Sequence, residues 1–235
     1  MRIVLCTSGG FPAAAVLERL LDSPRVELAA ILLSTRVLHP GYGLLRGAWE
    51  HYRRSGPAYA LYLGIAAAPR LRARGVPVLR SKDINRERAW IERLAPDLVV
   101  SAFFNHLIGA PVLAAARYGA VNIHPSLLPA LKGVDPVFYA RLLDRPVLGV
   151  SVHRVTPVLD GGNLLAQEEL PLLPRESVLA ATARLYGQGA LLLLESLDAI
   201  AAGAPGAPQA GEGSYFSWPS RAQVAELRRK GVRLF

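Results

Sequence analysis

The stretch GAVNIHPSLLP, residues 119–129, joins a short apolar run to a polar turn bounded by prolines. The run from Gly119 to Ile123 has the length and composition of a buried β-strand. Side chains two residues apart in a strand lie on the same face, so Asn122 and His124 are predicted to emerge together where this strand ends. Open parallel sheets keep their functional side chains at the carboxyl ends of their strands. The stretch therefore predicts both a parallel sheet and the position of its site.

Asp160, 38 positions after Asn122, adds a carboxylate to the amide and the imidazole. An amide N–H can hold a developing oxyanion, an imidazole can carry a proton, and a carboxylate can orient and charge the imidazole. Together these groups suit the transfer of an acyl group to an amine. Taken singly, each residue also has an ordinary structural role in a turn or a core. The order and spacing of the three favour the catalytic interpretation.

NIHPSLLP at 122–129, followed by Lys132-Gly133 and the turn Leu159-Asp160-Gly161-Gly162, resembles the folate-dependent formyltransferases. That family includes glycinamide ribonucleotide transformylase, methionyl-tRNA formyltransferase and the sugar-nucleotide N-formyltransferases. The resemblance covers residues 95–175 closely and the N-terminal strand–helix units more loosely. It implies a Rossmann-like formyltransferase fold, with 10-formyltetrahydrofolate as the formyl donor and a primary amine as the acceptor.

The resemblance also implies roles for individual residues. Asn122 would donate its amide to the formyl oxygen, His124 would stabilise the oxyanion and pass the proton, and Asp160 would hold His124 in the useful tautomer. The folate pocket would be lined by Phe103, Phe104, Asn105, Leu107, Ile108, Ser126, Leu127, Leu128, Pro129, Val158, Leu159, Gly161 and Gly162. The amine acceptor would meet Ser8, Gly9, Gly10, Lys132 and Gly133. Core packing is an equal alternative for the two Phe residues, and Lys132 could be an ordinary solvated lysine.

The hydrophobic pattern predicts alternating strands and helices up to residue 123 and a hairpin afterwards. The predicted strands are Arg2–Thr7, Val26–Ser34, Val76–Leu79, Asp97–Phe103, Gly119–Ile123, Val147–Val155 and Asn163–Leu170. The predicted helices are Pro12–Leu21, Ala58–Arg74, Asn85–Leu94, Ala110–Arg117 and Glu176–Ala201, and the glycine-containing stretch 35–57 is expected to be a long loop. This alternation predicts an α/β fold: a mostly parallel twisted sheet with helices on both faces, then a C-terminal hairpin and helical tail.

The expected domain organisation is a catalytic domain at 1–202, a Gly/Pro/Ala-rich linker at 203–214 and a short tail at 215–235. Of the 235 residues, 51% are hydrophobic and 19% are charged, which indicates a well-filled core. The single cysteine, Cys6, is expected to be a buried core thiol, and it excludes an intrachain disulfide. No secretory signal is recognised, so a cytoplasmic protein without a membrane span is expected. The histidines outside the motif, at 39, 51, 106 and 153, show no ligand spacing, and no metal site is expected.

The net charge of +9 is unevenly distributed. Residues 36–93 include 12 basic and 4 acidic side chains, and the last fifteen residues include five basic and one acidic. Such a basic region could attract a nucleotide-sugar, a phosphorylated amine, RNA or the polyglutamate tail of a folate. Arginine used as an ordinary solvated surface residue is an equally good explanation, because no aromatic side chains are interleaved as in a base-stacking surface.

The sequence departs from the family at two places, and both departures narrow the range of acceptors that is expected. The turn SGGFP at 8–12 is shorter than the phosphate loop of the glycinamide ribonucleotide transformylases, and residues 215–235 are too few for the C-terminal barrel of the methionyl-tRNA formyltransferases. A small or nucleotide-linked amine is therefore expected, a nucleic acid is a less favoured partner, and the oligomeric state is left open. The alternatives are a 10-formyltetrahydrofolate hydrolase that releases formate, ranked lower because no regulatory domain precedes the core, and a non-catalytic folate or nucleotide binder.

Overall fold

The computed structural model describes residues 1–36, 41–68 and 73–235, and His39 lies outside these ranges. The strands in these ranges are β1 (Arg2–Thr7), β2 (Glu27–Ser34), β3 (Val78–Ser81), β4 (Leu98–Ala102), β5 (Ala120–His124), β6 (Leu131–Gly133), β7 (Val147–Arg154), β8 (Leu164–Pro171) and β9 (Ser214–Phe216). The helices are α1 (Gly10–Asp22), α2 (Leu44–Ala66), α3 (Arg88–Arg93), α4 (Ala110–Leu113), α5 (Pro136–Leu142), α6 (Val178–Ala201) and α7 (Arg221–Arg229), and a 3₁₀ turn covers Ile84–Arg86.

Seven of these strands form one sheet in the order β3-β2-β1-β4-β5-β7-β8. The first five are parallel, whereas β7 runs antiparallel to both β5 and β8. All five residues of β4 are buried, which is typical of a parallel strand covered on both faces. The predicted α/β sheet and its C-terminal hairpin are therefore confirmed, and β5 lies where the sheet changes from parallel to antiparallel.

Helices cover both faces of the sheet, as predicted. Ile3 and Leu5 of β1 pack in the larger cluster with residues of α1, α2, α5, α6 and α7. Val4 and Cys6 point the other way and pack with residues of α3 and α4. Burial raises the pKa of the Cys6 thiol far above its ordinary value, so its prediction as a buried core thiol is confirmed. Among the described helices, none has the length and apolarity that crossing a membrane requires, and the cytoplasmic location stays a prediction.

The long loop predicted at 35–57 is wrong, because α2 begins at Leu44. Its first half packs on the C-terminal segment: the His51 ring lies edge-on to Trp218, and the Ser55 hydroxyl donates to the Pro219 carbonyl. At Gly56 the backbone has φ 83° and ψ 174°, which divides α2 into two helical segments. Long-range packing thus overrides the weak helix propensity of a glycine-containing stretch.

Other boundaries also differ from the prediction. The helix predicted at Ala58–Arg74 ends at Ala66, and residues 69–72 lie outside the described ranges. The helix predicted at Asn85–Leu94 is divided into the 3₁₀ turn and α3, because the Asp83 side chain accepts from the Asn85 N–H and caps the turn. The helix predicted at Ala110–Arg117 ends at Leu113.

The C-terminal segment pairs first with β8 and then with β6. Ala207 exchanges two backbone hydrogen bonds of 2.8 Å with Leu164 of β8. Further on, β9 pairs in parallel with β6, and Ser220 and Gln223 form a reciprocal cap at the start of α7. The division into domains at 1–202, 203–214 and 215–235 stays a prediction.

Candidate active site

Asn122 and His124 lie on one face of β5, as their spacing predicts. The intervening Ile123 points into the larger core cluster on the opposite face. In the sheet, Asn122 lies opposite Ser101 of β4 and His153 of β7, while His124 lies opposite Ser151 of β7. The end of β5 therefore places an amide and an imidazole beside polar residues from both neighbouring strands.

The His124 ring is held by a hydrogen bond at Nε2, and its other nitrogen faces a carboxylate. Its Nε2 lies 2.8 Å from the carbonyl oxygen of Leu131, which also accepts a hydrogen bond of 2.9 Å from the Ser126 hydroxyl. A carbonyl can only accept, so Nε2 carries a proton in this arrangement. Its Nδ1 faces Asp160 at 3.7 Å from Oδ1. Because both side chains are buried, their interaction is weakly screened by solvent.

Asp160 sits in the turn between β7 and β8 with φ 47°, a left-handed conformation that Asp tolerates better than most residues. Its Oδ2 accepts a hydrogen bond of 2.8 Å from the Gly133 N–H of β6. Gly162 allows the turn to close, because a Cβ at that position would lie 1.8 Å from the Arg154 carbonyl oxygen. The turn thus aims the carboxylate of Asp160 at the end of β5.

The structure adds His153, which the motif did not identify. Its Nδ1 lies 2.9 Å from the Arg154 carbonyl, so its Nε2 accepts from the Asn122 amide at 3.1 Å. Burial, with a smaller effect from the charge of His124, lowers the pKa of His153 to about 4, so the ring is neutral near pH 7. Its Nε2 also lies 3.8 Å from Asp160 Oδ1. In the sequence, the only sign of this role is that polar residues, Ser151 and His153, alternate with apolar ones in a buried strand. The alternation points to the site only once it is known that this strand pairs with β5.

A small cavity of about 70 Å³ adjoins these residues. It brings five residues predicted for the folate pocket, Phe104, Leu107, Ile108, Val158 and Leu159, beside Asn122, His153 and Asp160; the remaining lining residues are Ser101, His106, Val155 and Thr156. The region after β4 and the turn after β7 therefore meet at the site.

His106 is a second histidine that the motif missed. Its Nδ1 accepts the Ile84 N–H at 3.1 Å and its Nε2 lies 2.7 Å from the Ser34 hydroxyl. The ring stacks on Phe104 with 4.4 Å between centroids. Burial lowers the pKa of His106 to about 4, so this wall of the cavity is uncharged near pH 7.

Two residues between 103 and 108 that were predicted for the folate pocket do not line this cavity. Phe103 has φ 48° and packs edge-on against Tyr186 within the larger core cluster, on the sheet face opposite the cavity. Asn105 joins loops instead, since its side chain bonds the hydroxyls of Ser8 and Ser34 and the carbonyl of Arg36. The position of Phe103 agrees with the alternative of core packing. A role in folate binding stays a prediction for both residues.

Side chains of β7 and β8 form hydrogen bonds with the backbone of the loop 126–129. The Ser151 hydroxyl donates to the Ser126 carbonyl and accepts from the Leu128 N–H, and the Gln167 amide donates to the Leu128 carbonyl. Leu127 packs over Gly149, where a Cβ would lie 2.3 Å from its Cγ, and the Leu128–Pro129 peptide is cis. Residues 126–129 do not line the 70 Å³ cavity, and Gly161 and Gly162 do not line it either.

The residues predicted to meet the acceptor fall into two groups. Gly9 and Gly10 are buried, and at Gly10, with φ +79°, a Cβ would lie 1.7 Å from the Ala66 carbonyl oxygen of α2. The Ser8 N–H is taken by the Phe103 carbonyl at 2.7 Å. Gly133, in contrast, contacts Asp160 directly. The positive charge of neighbouring Lys132 is close enough to contribute to the lowered pKa of His153.

The family model described as formyl transferase matches residues 78–197, just over half of the chain. The chain belongs to the formyl transferase family. The match includes β5, the loop 126–129 and the Asp160 turn, which are the parts that form the site.

The relatives of this chain include the methionyl-tRNA formyltransferase of Thermus thermophilus, which is 40% identical over 146 residues. That alignment covers 61% of this chain and 47% of the relative, so the chain spans about half the length of such curated relatives.

Two solved structures share the fold. Phosphoribosylglycinamide formyltransferase from Anaplasma phagocytophilum has a TM-score of 0.60 and 19% identity, covering 92% of this chain and 99% of that one. The sugar 3N-formyltransferase WlaRD, solved in the presence of dTDP and 5-N-formyl-THF, has a TM-score of 0.57 and 16% identity, covering 92% of this chain and 69% of that one.

Beside the site, tyrosines surround a second aspartate, which is half-buried. Asp135 has φ 47°, caps α5 by accepting from the Phe138 N–H, and accepts from the Tyr59 hydroxyl at 2.8 Å. The Tyr62 hydroxyl lies at the outer limit of hydrogen bonding, 3.5 Å away. Burial raises the pKa of Asp135 to about 6, although these hydrogen bonds oppose the rise.

Proposed function

We propose that this chain transfers a formyl group from 10-formyltetrahydrofolate to a primary amine of a small or nucleotide-linked acceptor. The observation that supports this proposal most strongly is the convergence of Asn122, His124 and Asp160 at the end of β5, with His124 Nδ1 3.7 Å from Asp160 Oδ1. An amide donor, a buried imidazole and a carboxylate are the groups that acyl transfer to an amine requires.

In this reaction the amine nitrogen attacks the formyl carbon, a new C–N bond forms, and the bond from that carbon to the folate nitrogen breaks. Negative charge develops on the formyl oxygen during the attack. Asn122 Nδ2 gives one N–H to His153, which fixes the amide and leaves its second N–H for that oxygen. Removal of such a donor typically lowers the rate by about 100- to 1,000-fold.

A proton must also move from the attacking amine to the leaving nitrogen. His124 Nε2 is occupied by the Leu131 carbonyl, so we assign the transfer to Nδ1, directly or through an ordered water. Asp160 lies next to Nδ1 and would stabilise the imidazolium while it carries the proton. The neutral His153 adds no competing positive charge near pH 7.

The residues around the cavity fit the chemistry of a pteridine ring. Leu107, Ile108 and Leu159 supply apolar walls, while His106, Ser101 and Asp160 supply polar groups. The cavity, with a volume of about 70 Å³, is smaller than the roughly 300 Å³ at the low end of ligand pockets. Because Leu107, Val158 and Leu159 are exposed at its rim, we expect the turn after β7 to open outward when the formyl donor binds.

The acceptor is proposed at the level of a primary amine. The names of the relatives include acceptors of three kinds: a tRNA, a phosphoribosyl amine and an amino sugar. Several arginines within the basic stretch 36–93 form surface ion pairs, namely Arg53 with Glu50, Arg74 with Asp22, Arg86 with Asp83 and Arg88 with Glu92. Such pairing supports the interpretation of a solvated surface and keeps a nucleic acid the less favoured acceptor.

Spectroscopic turnover of 10-formyltetrahydrofolate tests the proposal. The purified protein is assayed with phosphoribosylglycinamide, nucleotide-linked amino sugars and methionyl-tRNA, and with no amine. Amine-dependent turnover that falls at least about 100-fold in His124→Ala is the expected result. His51→Ala is the matched control, since it also removes a buried histidine but one that packs on Trp218. Equal turnover without amine would indicate a hydrolase, and folate binding with neither activity would indicate a binder.

A further inference from the structure

The segment after α6 places one side chain on the catalytic turn. Gln209 Nε2 donates to the carbonyl oxygens of Asp160 and Gly162, both at 2.8 Å. These partners precede Gln209 by 49 and 47 residues. The amide of Gln209 therefore bridges two carbonyls of the turn, those of the residues immediately before and after Gly161.

The segment is anchored on both sides of Gln209. Before it, Ala207 exchanges backbone hydrogen bonds with Leu164, and at Gly206, with φ +79°, a Cβ would lie 2.5 Å from the Leu164 carbonyl oxygen. After it, a Cβ at Gly213 would lie 2.5 Å from the Pro129 carbonyl oxygen. These close backbone contacts on either side of Gln209 fix the position of its side chain relative to the Asp160 turn.

The strand that follows, β9, pairs with the strand whose backbone binds His124 and Asp160. β9 pairs with β6 in the register Leu131 to Ser214 and Gly133 to Phe216, and the Val134 N–H donates to the Phe216 carbonyl at 2.8 Å. The Leu131 carbonyl holds His124, and the Gly133 N–H holds Asp160. Residues 207–216 thus reach Asp160 from two sides, through Gln209 and through β6.

We propose that Gln209 is a positioning residue of the catalytic site, acting through Asp160. This inference rests on the proposed formyl transfer. Asp160 has a left-handed backbone conformation, which is unfavourable for a residue other than glycine unless its surroundings stabilise it. By holding the carbonyls on either side of Gly161, Gln209 fixes the direction of the Asp160 carboxylate between His124 and His153. Displacement of a catalytic group by about 1 Å can lower a rate 100-fold, so the bridge bears on turnover.

Two substitutions separate positioning from simple packing. Gln209→Ala removes both donors, whereas Gln209→Glu keeps the size of the side chain but replaces its donors with a carboxylate beside two carbonyls. Gln223→Ala is the matched control: it removes a glutamine from the same C-terminal segment, where that residue caps α7.

The experiment measures kcat, KM for 10-formyltetrahydrofolate, the pH dependence of kcat and the melting temperature of all four proteins. We expect kcat to fall about tenfold in Gln209→Ala and further in Gln209→Glu, corresponding to the loss of two net hydrogen bonds. KM should stay within about threefold of the parent, because the lost interaction orients a catalytic group instead of binding substrate. The pH profile of kcat should be displaced, whereas Gln223→Ala should lower only the melting temperature.

A lower melting temperature with the kcat and pH profile of the parent in both Gln209 variants would overturn the inference and leave a structural role. If the parent itself transfers formyl to no amine, the proposed function fails instead. The inference then stands or falls on the ring resonances of His124 and His153, whose pH titration by NMR should differ between Gln209→Ala and the parent. Identical titrations would overturn it.

Discussion

Asp135 and Asp160 share a residue type and a left-handed backbone with φ 47°, yet their surroundings differ. Asp135 accepts from tyrosine hydroxyls and a helix N–H, none of which takes up a positive charge. Asp160 accepts from a backbone N–H and faces two imidazoles at 3.7 and 3.8 Å. Asp160 can therefore stabilise a positive charge on a neighbouring side chain, whereas the hydrogen-bond partners of Asp135 offer no such charge. The comparison shows that the neighbours, and not the carboxylate or its conformation, distinguish the aspartate proposed to be catalytic from the other one.

The largest expected effect follows from removing the charge of Asp160. Asn tolerates the left-handed conformation and keeps an oxygen for the Gly133 N–H, so Asp160→Asn should fold normally. It cannot stabilise a positive charge on either imidazole, and we expect kcat to fall by about 100-fold or more. Steady-state kinetics and the melting temperature of the variant check this. Turnover near that of the parent would show that the two aspartates do not differ as described.

A smaller effect is expected at the tyrosine that holds Asp135. Tyr59→Phe leaves a partly buried carboxylate without its 2.8 Å hydrogen bond, at a cost of about 1–2 kcal/mol. For a chain of this size the melting temperature should fall by roughly 3–6 °C, while kcat per folded molecule stays unchanged. Tyr52→Phe, at an exposed position of the same helix, is the matched control. Lost turnover without lost stability would place Asp135 in the site.

The smallest effect concerns the ionisation of Asp135. Its pKa is about 6 in the folded protein and 3.8 as the ordinary value, so the folded state binds the proton more tightly than the unfolded state. The contribution of this group to stability is therefore fully present below pH 3.8 and is lost as the pH rises through 6. Asp135→Asn should raise the melting temperature by a few degrees at pH 8 and by much less at pH 4. An equal change at both pH values would contradict the raised pKa.

Local patterns in the sequence predicted much of this molecule. Alternation within β5 predicted the common face of Asn122 and His124. The short connection between the strands predicted at Val147–Val155 and Asn163–Leu170 predicted a hairpin, which the sheet confirms. What the sequence could not supply depends on register and distance. His153 is meaningful only because β7 pairs antiparallel with β5, and Gln209 lies 49 residues from the carbonyl that it holds.

The first half of α2 is the main error, and its cause is also long-range. Glycines at 43 and 47 lower the intrinsic helix propensity, and the contacts that stabilise the helix come from Trp218 and Pro219. No window of local sequence contains both partners. Phe103 could not be assigned to one face of the sheet from the sequence either, because its left-handed backbone, with φ 48°, interrupts the alternation of the strand.

The parallel pairing of β6 with β9 also bears on the order in which the molecule is completed during translation. Leu131 and Gly133, whose backbone groups hold His124 and Asp160, gain their strand partners only when residues 214–216 have left the ribosome. All seven strands of the main sheet end by Pro171, more than forty residues earlier. A nascent chain therefore contains every strand of its main sheet well before the strand that pairs with β6 has been synthesised.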